Sequence, residues 1–86
     1  MRNPGVEGQP LSPGQLDALR LIAAGYTSRQ AAHRLQTTET AVNLRLKEAV
    51  TRLGARTRTH AVVIALRRRV IDFDEVLPDQ QRETAA

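Results

Sequence analysis

Asn43, Leu44 and Lys47 are spaced to share one face of a helix, with Thr40 one turn before and Thr51 one turn after. Their chemistry complements the edges of nucleic-acid bases. An Asn amide can hydrogen-bond bidentately to adenine, a Lys ammonium reaches the acceptors of guanine, and a Leu side chain touches the thymine methyl. Arg45 and Arg52 fall on one flank of that face. There they suit phosphates, which position a helix without reading sequence. Leu44 is the informative member, an apolar residue among polar ones. On a solvated helix it is a stray surface Leu, which is common; in a major groove it has a use.

The helix that carries this face is predicted over 39–53. Thr38 is its N-cap, Glu39 puts a negative charge in its first turn, and Gly54 stops it. Val42, Leu46, Ala49, Val50 and Leu53 form the opposite, buried stripe. Before it come the turn Gln36-Thr37-Thr38 and a short helix over 28–35, opened by the T-x-x-Q box of Thr27 and Gln30. Its stripe is Ala31, Ala32 and Leu35. Two turns cannot stand alone, so packing must hold this helix. A short helix, a tight turn and a longer helix make a helix-turn-helix, in which the second helix enters the major groove. The first then crosses the backbone, and the amides of Thr27, Ser28 and Arg29 at its start offer a phosphate site, to which the Thr27 and Ser28 hydroxyls and Arg29 add.

Two further helices support the pair. One is expected over 13–24, with Ser12, Pro13 and Gln15 as start signals, Leu16, Leu19, Ile22 and Ala23 as its stripe, and Gly25 as its stop. The other is expected over 58–69, capped by Thr57, with Ala61, Val62, Ala65 and Leu66 inward and Arg67–Arg69 at its C-terminal end. No alternating apolar pattern of strand length is present, so the expected fold is all-α with four helices. Residues 1–10 are expected to be a flexible Pro/Gly arm. Residues 72–77, with Phe73, Val76 and Leu77, are expected to dock as one turn, followed by a disordered end.

Charge agrees with a polyanionic partner. Residues 12–71 hold eleven Lys/Arg against three Asp/Glu, whereas 72–86 carry a net charge of −4. The body is basic and the tail acidic, and such a tail can compete with DNA for the basic face. Tyr26 is the one Tyr and Phe73 the one Phe, and Trp is absent. That leaves no stacking platform for single strands or RNA, so duplex DNA is the better reading. The chain has no cysteine, which excludes disulfides and thiolate metal sites and fits a cytoplasmic protein. No apolar run approaches a membrane span. His33 and His60 have no carboxylate or nucleophile at a suggestive spacing, and no phosphate loop or metal cluster is visible, so neither an enzyme nor a cofactor is expected.

The segment Leu11–Ile71 resembles the LuxR/GerE-type helix-turn-helix domain. The shared anchors are Leu11-Ser12, Leu19, Ala23-x-Gly25, Ala32, Leu35, Val42, Leu53-Gly54, Arg58 and Ala61-Val62 with Ala65. The resemblance implies a four-helix, DNA-binding transcription regulator that dimerises through the helix at 58–69 and binds two related half-sites. It places the groove-facing residues at Asn43, Leu44 and Lys47, and backbone contacts near Thr27, Arg29, Arg45 and Arg58. With only ten residues before the domain, the chain looks like a stand-alone regulator of the GerE kind.

The departures are specific. The family's usual Thr-Val-Lys-x-His is here Ala41-Val42-Asn43-Leu44-Arg45. The turn carries Thr37 where an apolar residue is common, and Gln36 and Arg69 stand where the family often has Gly. Gln15 replaces an acidic residue. These changes imply a somewhat remodelled or less stable member, and the family's preferred half-site does not carry over. They also leave open a second reading, a protein-interaction module that docks on another regulator or on RNA polymerase with little DNA binding. Val42–Leu53 also resembles the recognition helix of the promoter-reading region of sigma factors, although Leu53-Gly54 and the last helix fit the LuxR type better.

Overall fold

The computed structural model describes residues 8–72, and among these there are four helices and no strand. They are α1 (Pro13–Ala23), α2 (Ser28–Leu35), α3 (Glu39–Arg52) and α4 (Arg58–Arg67). The expected docked turn of Phe73, Val76 and Leu77 lies outside the described residues.

Each helix starts where a side chain takes over an orphan amide. The Ser12 hydroxyl accepts from the Gln15 amide at 3.2 Å while Gln15 Oε1 accepts from the Ser12 amide at 3.0 Å. The same reciprocal pair joins Thr27 and Gln30 at 3.1 and 2.9 Å. Thr38 and Thr57 cap α3 and α4 by accepting from Ala41 and His60, both at 3.0 Å.

The four helices also end alike. In each, a residue with positive φ turns the chain, and two backbone bonds close back onto the last turn. For α1 these run from Gly25 to Ile22 and from Tyr26 to Leu21, and for α3 from Gly54 to Thr51 and from Ala55 to Val50. For α2 the turning residue is Gln36 at φ 55°, and for α4 it is Arg69 at φ 58°. The expected helix over 58–69 therefore ran two residues too far. Arg69 occupies the left-handed position, and the Arg69 and Val70 amides bond to the Leu66 and Ala65 carbonyls. Nothing in the run Arg67–Arg69 marks that stop. The ends expected at 24 and 53 also shift by one residue, since Ala24 and Leu53 are the caps.

Gln36 and Arg69 thus sit, without Gly, in the two places where the family favours Gly. A Cβ in the left-handed region costs about 1–2 kcal/mol, against about 0.5–1 kcal/mol for the extra freedom Gly loses on folding. Gln36→Gly and Arg69→Gly are each expected to stabilise the fold by about 0.5–1 kcal/mol, seen as a higher urea midpoint. A lower midpoint for either would mean that its side chain makes contacts worth more than the strain.

The core is made of few large side chains and many small ones. Leu19, Val42, Leu46 and Ile71 are fully buried, with Ala18, Ala31, Ala49, Ala61 and Ala65 closing the gaps between helices. α3 packs against α1, α2 and α4, so the helix with the candidate face is also the hub of the fold. Gln15, buried in α1, ties α1 to α3: its Nε2 donates to Glu48 Oε1 at 3.0 Å. An acidic residue at 15 would set a second carboxylate against Glu48, which accounts for Gln at this position.

Candidate nucleic-acid interface

Burying Val42, Leu46 and Ala49 turns the opposite face of α3 outward. Asn43, Leu44, Lys47 and Thr51 lie along one side of an open groove of about 580 Å³, and Arg56, Thr57 and Arg58 close its other side. Leu44 is 55% exposed, the most exposed large apolar side chain of α3. Thr40 lies exposed one turn toward the start of the helix. The Thr51 hydroxyl donates back to the Lys47 carbonyl at 3.2 Å and is turned onto its own helix.

The start of α2 stands beside this groove. The capping box occupies the Thr27 amide, which donates to Gln30, so the amides left open are those of Ser28 and Arg29. Arg58, the first residue of α4, joins the two helices of the motif. Its Nη1 donates to Ser28 Oγ at 3.0 Å and its Nη2 to Asn43 Oδ1 at 2.7 Å. Arg45 lies over the first turn of α1, where a Cβ added at Gly14 would stand 3.4 Å from its Nε. Arg52 is tied to the chain entering α1: its Nη1 donates to the Pro10 carbonyl at 2.6 Å, and its own carbonyl accepts from the Gly8 amide at 2.8 Å.

The electrostatics are one-sided. Among the described residues, none of Arg29, Arg45, Lys47, Arg56 and Arg58 is paired with a carboxylate. Positive charge therefore stays available to an external anion. Arg34 is exposed and stacks 4.2 Å over the Tyr26 ring. No group of His, Asp or Glu that could hold a metal occurs among the described residues.

Two groove residues escaped the sequence reading. Val50, expected on the buried stripe, packs against the core and also reaches the groove edge. Arg56 lies in the short α3–α4 loop, outside any helical periodicity. Its amide donates to His60 Nδ1 at 3.0 Å, which gives His60 a loop-closing role. A lone Arg between Gly54 and the Thr57 cap was the available signal.

A short capped helix, a tight turn and a longer helix whose outward face lines an open cationic groove together define a helix-turn-helix domain. A model of the GerE family, the luxR family of bacterial regulatory proteins, matches residues 9–65, and the chain belongs to that family. Domains of this family are DNA-binding transcription regulators rather than enzymes, and DNA binding is the activity to which this geometry belongs. No curated protein and no solved structure matches the chain. No helix among the described residues is long and apolar enough to cross a membrane.

Proposed function

We propose that this chain is a sequence-specific transcription regulator that reads the major groove of duplex DNA with α3 and acts as a homodimer in the cytoplasm. The observation that carries this reading is the groove face of α3. There an amide, an exposed apolar side chain and an ammonium with no carboxylate partner among the described residues stand together at Asn43, Leu44 and Lys47, one for each kind of base-edge feature. Thr40 extends that face by one turn. Thr27, Ser28 and Arg29 at the start of α2, with Arg58 at the groove and Arg45 and Arg52 on the side of α3 toward α1, serve the phosphates. Pairing of two copies is assigned to α4, whose Val63 is 46% exposed with Ile64 beside it.

Selection of bound duplexes from a random pool tests this, and the expected product is a pair of related half-sites. Binding is expected to be steeply salt-dependent. Two copies that each place Arg29, Arg45 and Arg58 near phosphates make about six charge contacts, for a loss of about 10³ in affinity between ~50 and ~200 mM salt. Affinity that changes less than tenfold over that range would remove the phosphate contacts from the reading. Absence of any duplex binding at low salt, with a stable complex on another regulator or on RNA polymerase, would replace it with a protein-docking module.

A further inference from the structure

Asn43 is the least family-like residue of the groove face, and it does not stand free. Arg has only donors, so the Arg58–Asn43 bond at 2.7 Å must run from Nη2 to the amide oxygen. That settles which end of the carboxamide faces Arg58: the oxygen is held, and the NH₂ end is the one left for the groove. A second arm of the same guanidinium holds Ser28 Oγ at 3.0 Å, which leaves the Ser28 hydroxyl proton free to donate. One cation thus occupies an acceptor site on each of two side chains that can either donate or accept, and biases both toward donating.

The electronic effect points the same way. Accepting a hydrogen bond from a cation draws electron density out of the amide oxygen and, through conjugation, out of the amide nitrogen. The NH₂ group becomes a stronger donor and the oxygen a poorer second acceptor. Bidentate recognition of adenine by Asn needs both ends: the oxygen must accept from adenine N6 while the NH₂ donates to N7. Guanine presents two adjacent acceptors, N7 and O6, and no donor on that edge.

We propose that Arg58 is a positioning residue that sets the base preference of Asn43, leaving its NH₂ end to read the bases so that it selects guanine over adenine. This rests on the DNA-binding reading above and adds a specificity to it. A phosphate contact alone, the role given to Arg58 above, predicts loss of affinity without change of sequence preference.

The test is duplex selection with the parent, Asn43→Ala and Arg58→Met. Asn43→Ala marks the base pair that depends on residue 43. At that pair the parent is expected to favour G·C over A·T by about tenfold, and Arg58→Met is expected to shift the preference to A·T while the other positions keep theirs. A uniform loss of affinity in Arg58→Met with G·C retained would overturn the proposal and leave Arg58 on a phosphate. Should Arg58→Met fail to fold, shown by loss of its helical circular dichroism, the parent decides alone: A·T at the Asn43-dependent pair overturns the proposal. No enriched duplex with the parent would overturn the DNA-binding reading itself, whereas enriched duplexes with the wrong preference overturn only the role of Arg58.

Discussion

Leu46→Ala is expected to cost about 2–5 kcal/mol of folding stability. Leu46 is completely buried at the centre of α3, the helix that touches the other three. Removing its isopropyl group leaves a cavity that the core fills poorly, because half of the buried core residues are Ala on helices already in close approach. A domain of this size has roughly 3–10 kcal/mol in total at about 0.05–0.15 kcal/mol per residue. The variant therefore loses about half of that stability, and urea unfolding followed by circular dichroism should show the midpoint falling in proportion. Leu44→Ala is the matched control, made two residues away on the same helix. Its side chain is 55% exposed, so its folding stability should stay within about 0.5 kcal/mol of the parent while DNA affinity falls. A loss below about 1 kcal/mol for Leu46→Ala would mean that α3 is not anchored through this residue.

The contrast between Leu44 and Leu46 shows what was legible in the sequence. A period of 3.6 residues separates the two faces of α3 without any knowledge of the neighbouring helices, and both leucines fell on the side that periodicity assigns. Helix starts were legible for a related reason. A cap is a bond between residues three apart, and Ser12 with Gln15 and Thr27 with Gln30 carry their whole mechanism inside four residues. Helix ends were legible where Gly or a polar turn stood, and α2 ends at Leu35 as its turn Gln36-Thr37-Thr38 implied. Gly25 and Gly54 announced their turns, whereas Arg69 adopts the same left-handed conformation with nothing in its type to say so.

What stayed hidden is held together across the chain. Arg58 reaches Ser28 and Asn43 over 30 and 15 residues, Arg52 reaches Pro10 over 42, and Gln15 reaches Glu48 over 33. No local pattern encodes such bonds, because they depend on the angles at which four helices pack. The shared face of Asn43, Leu44 and Lys47 was therefore readable, but the fixed orientation of the Asn43 amide was not. Ile71 belongs to the same group. It lies past the last helix, outside any periodic stripe, and it is buried because the turn at Arg69 folds the chain back onto the core.

Lys47→Glu is expected to lower affinity for the best selected duplex by 10²-fold or more, about 3 kcal/mol. Two losses combine. Removing the ammonium forfeits a base-edge contact worth about 1–3 kcal/mol, the whole loss expected of Lys47→Ala. Adding a carboxylate within about 5 Å of phosphate oxygens brings a repulsion of about 1–2 kcal/mol at an effective dielectric between those of a protein surface and water. Fold stability should hardly change, because Lys47 is exposed and has no carboxylate partner among the described residues. Comparing Lys47→Glu with Lys47→Ala locates the side chain. At about 0.1 M salt a charge more than about 10 Å from the duplex is largely screened, so the change in net charge alone cannot produce the difference between the two. Fluorescence anisotropy with the selected duplex measures both. If Lys47→Glu binds as tightly as Lys47→Ala, the side chain lies away from the DNA, and the groove face of α3 is not the surface that reads it.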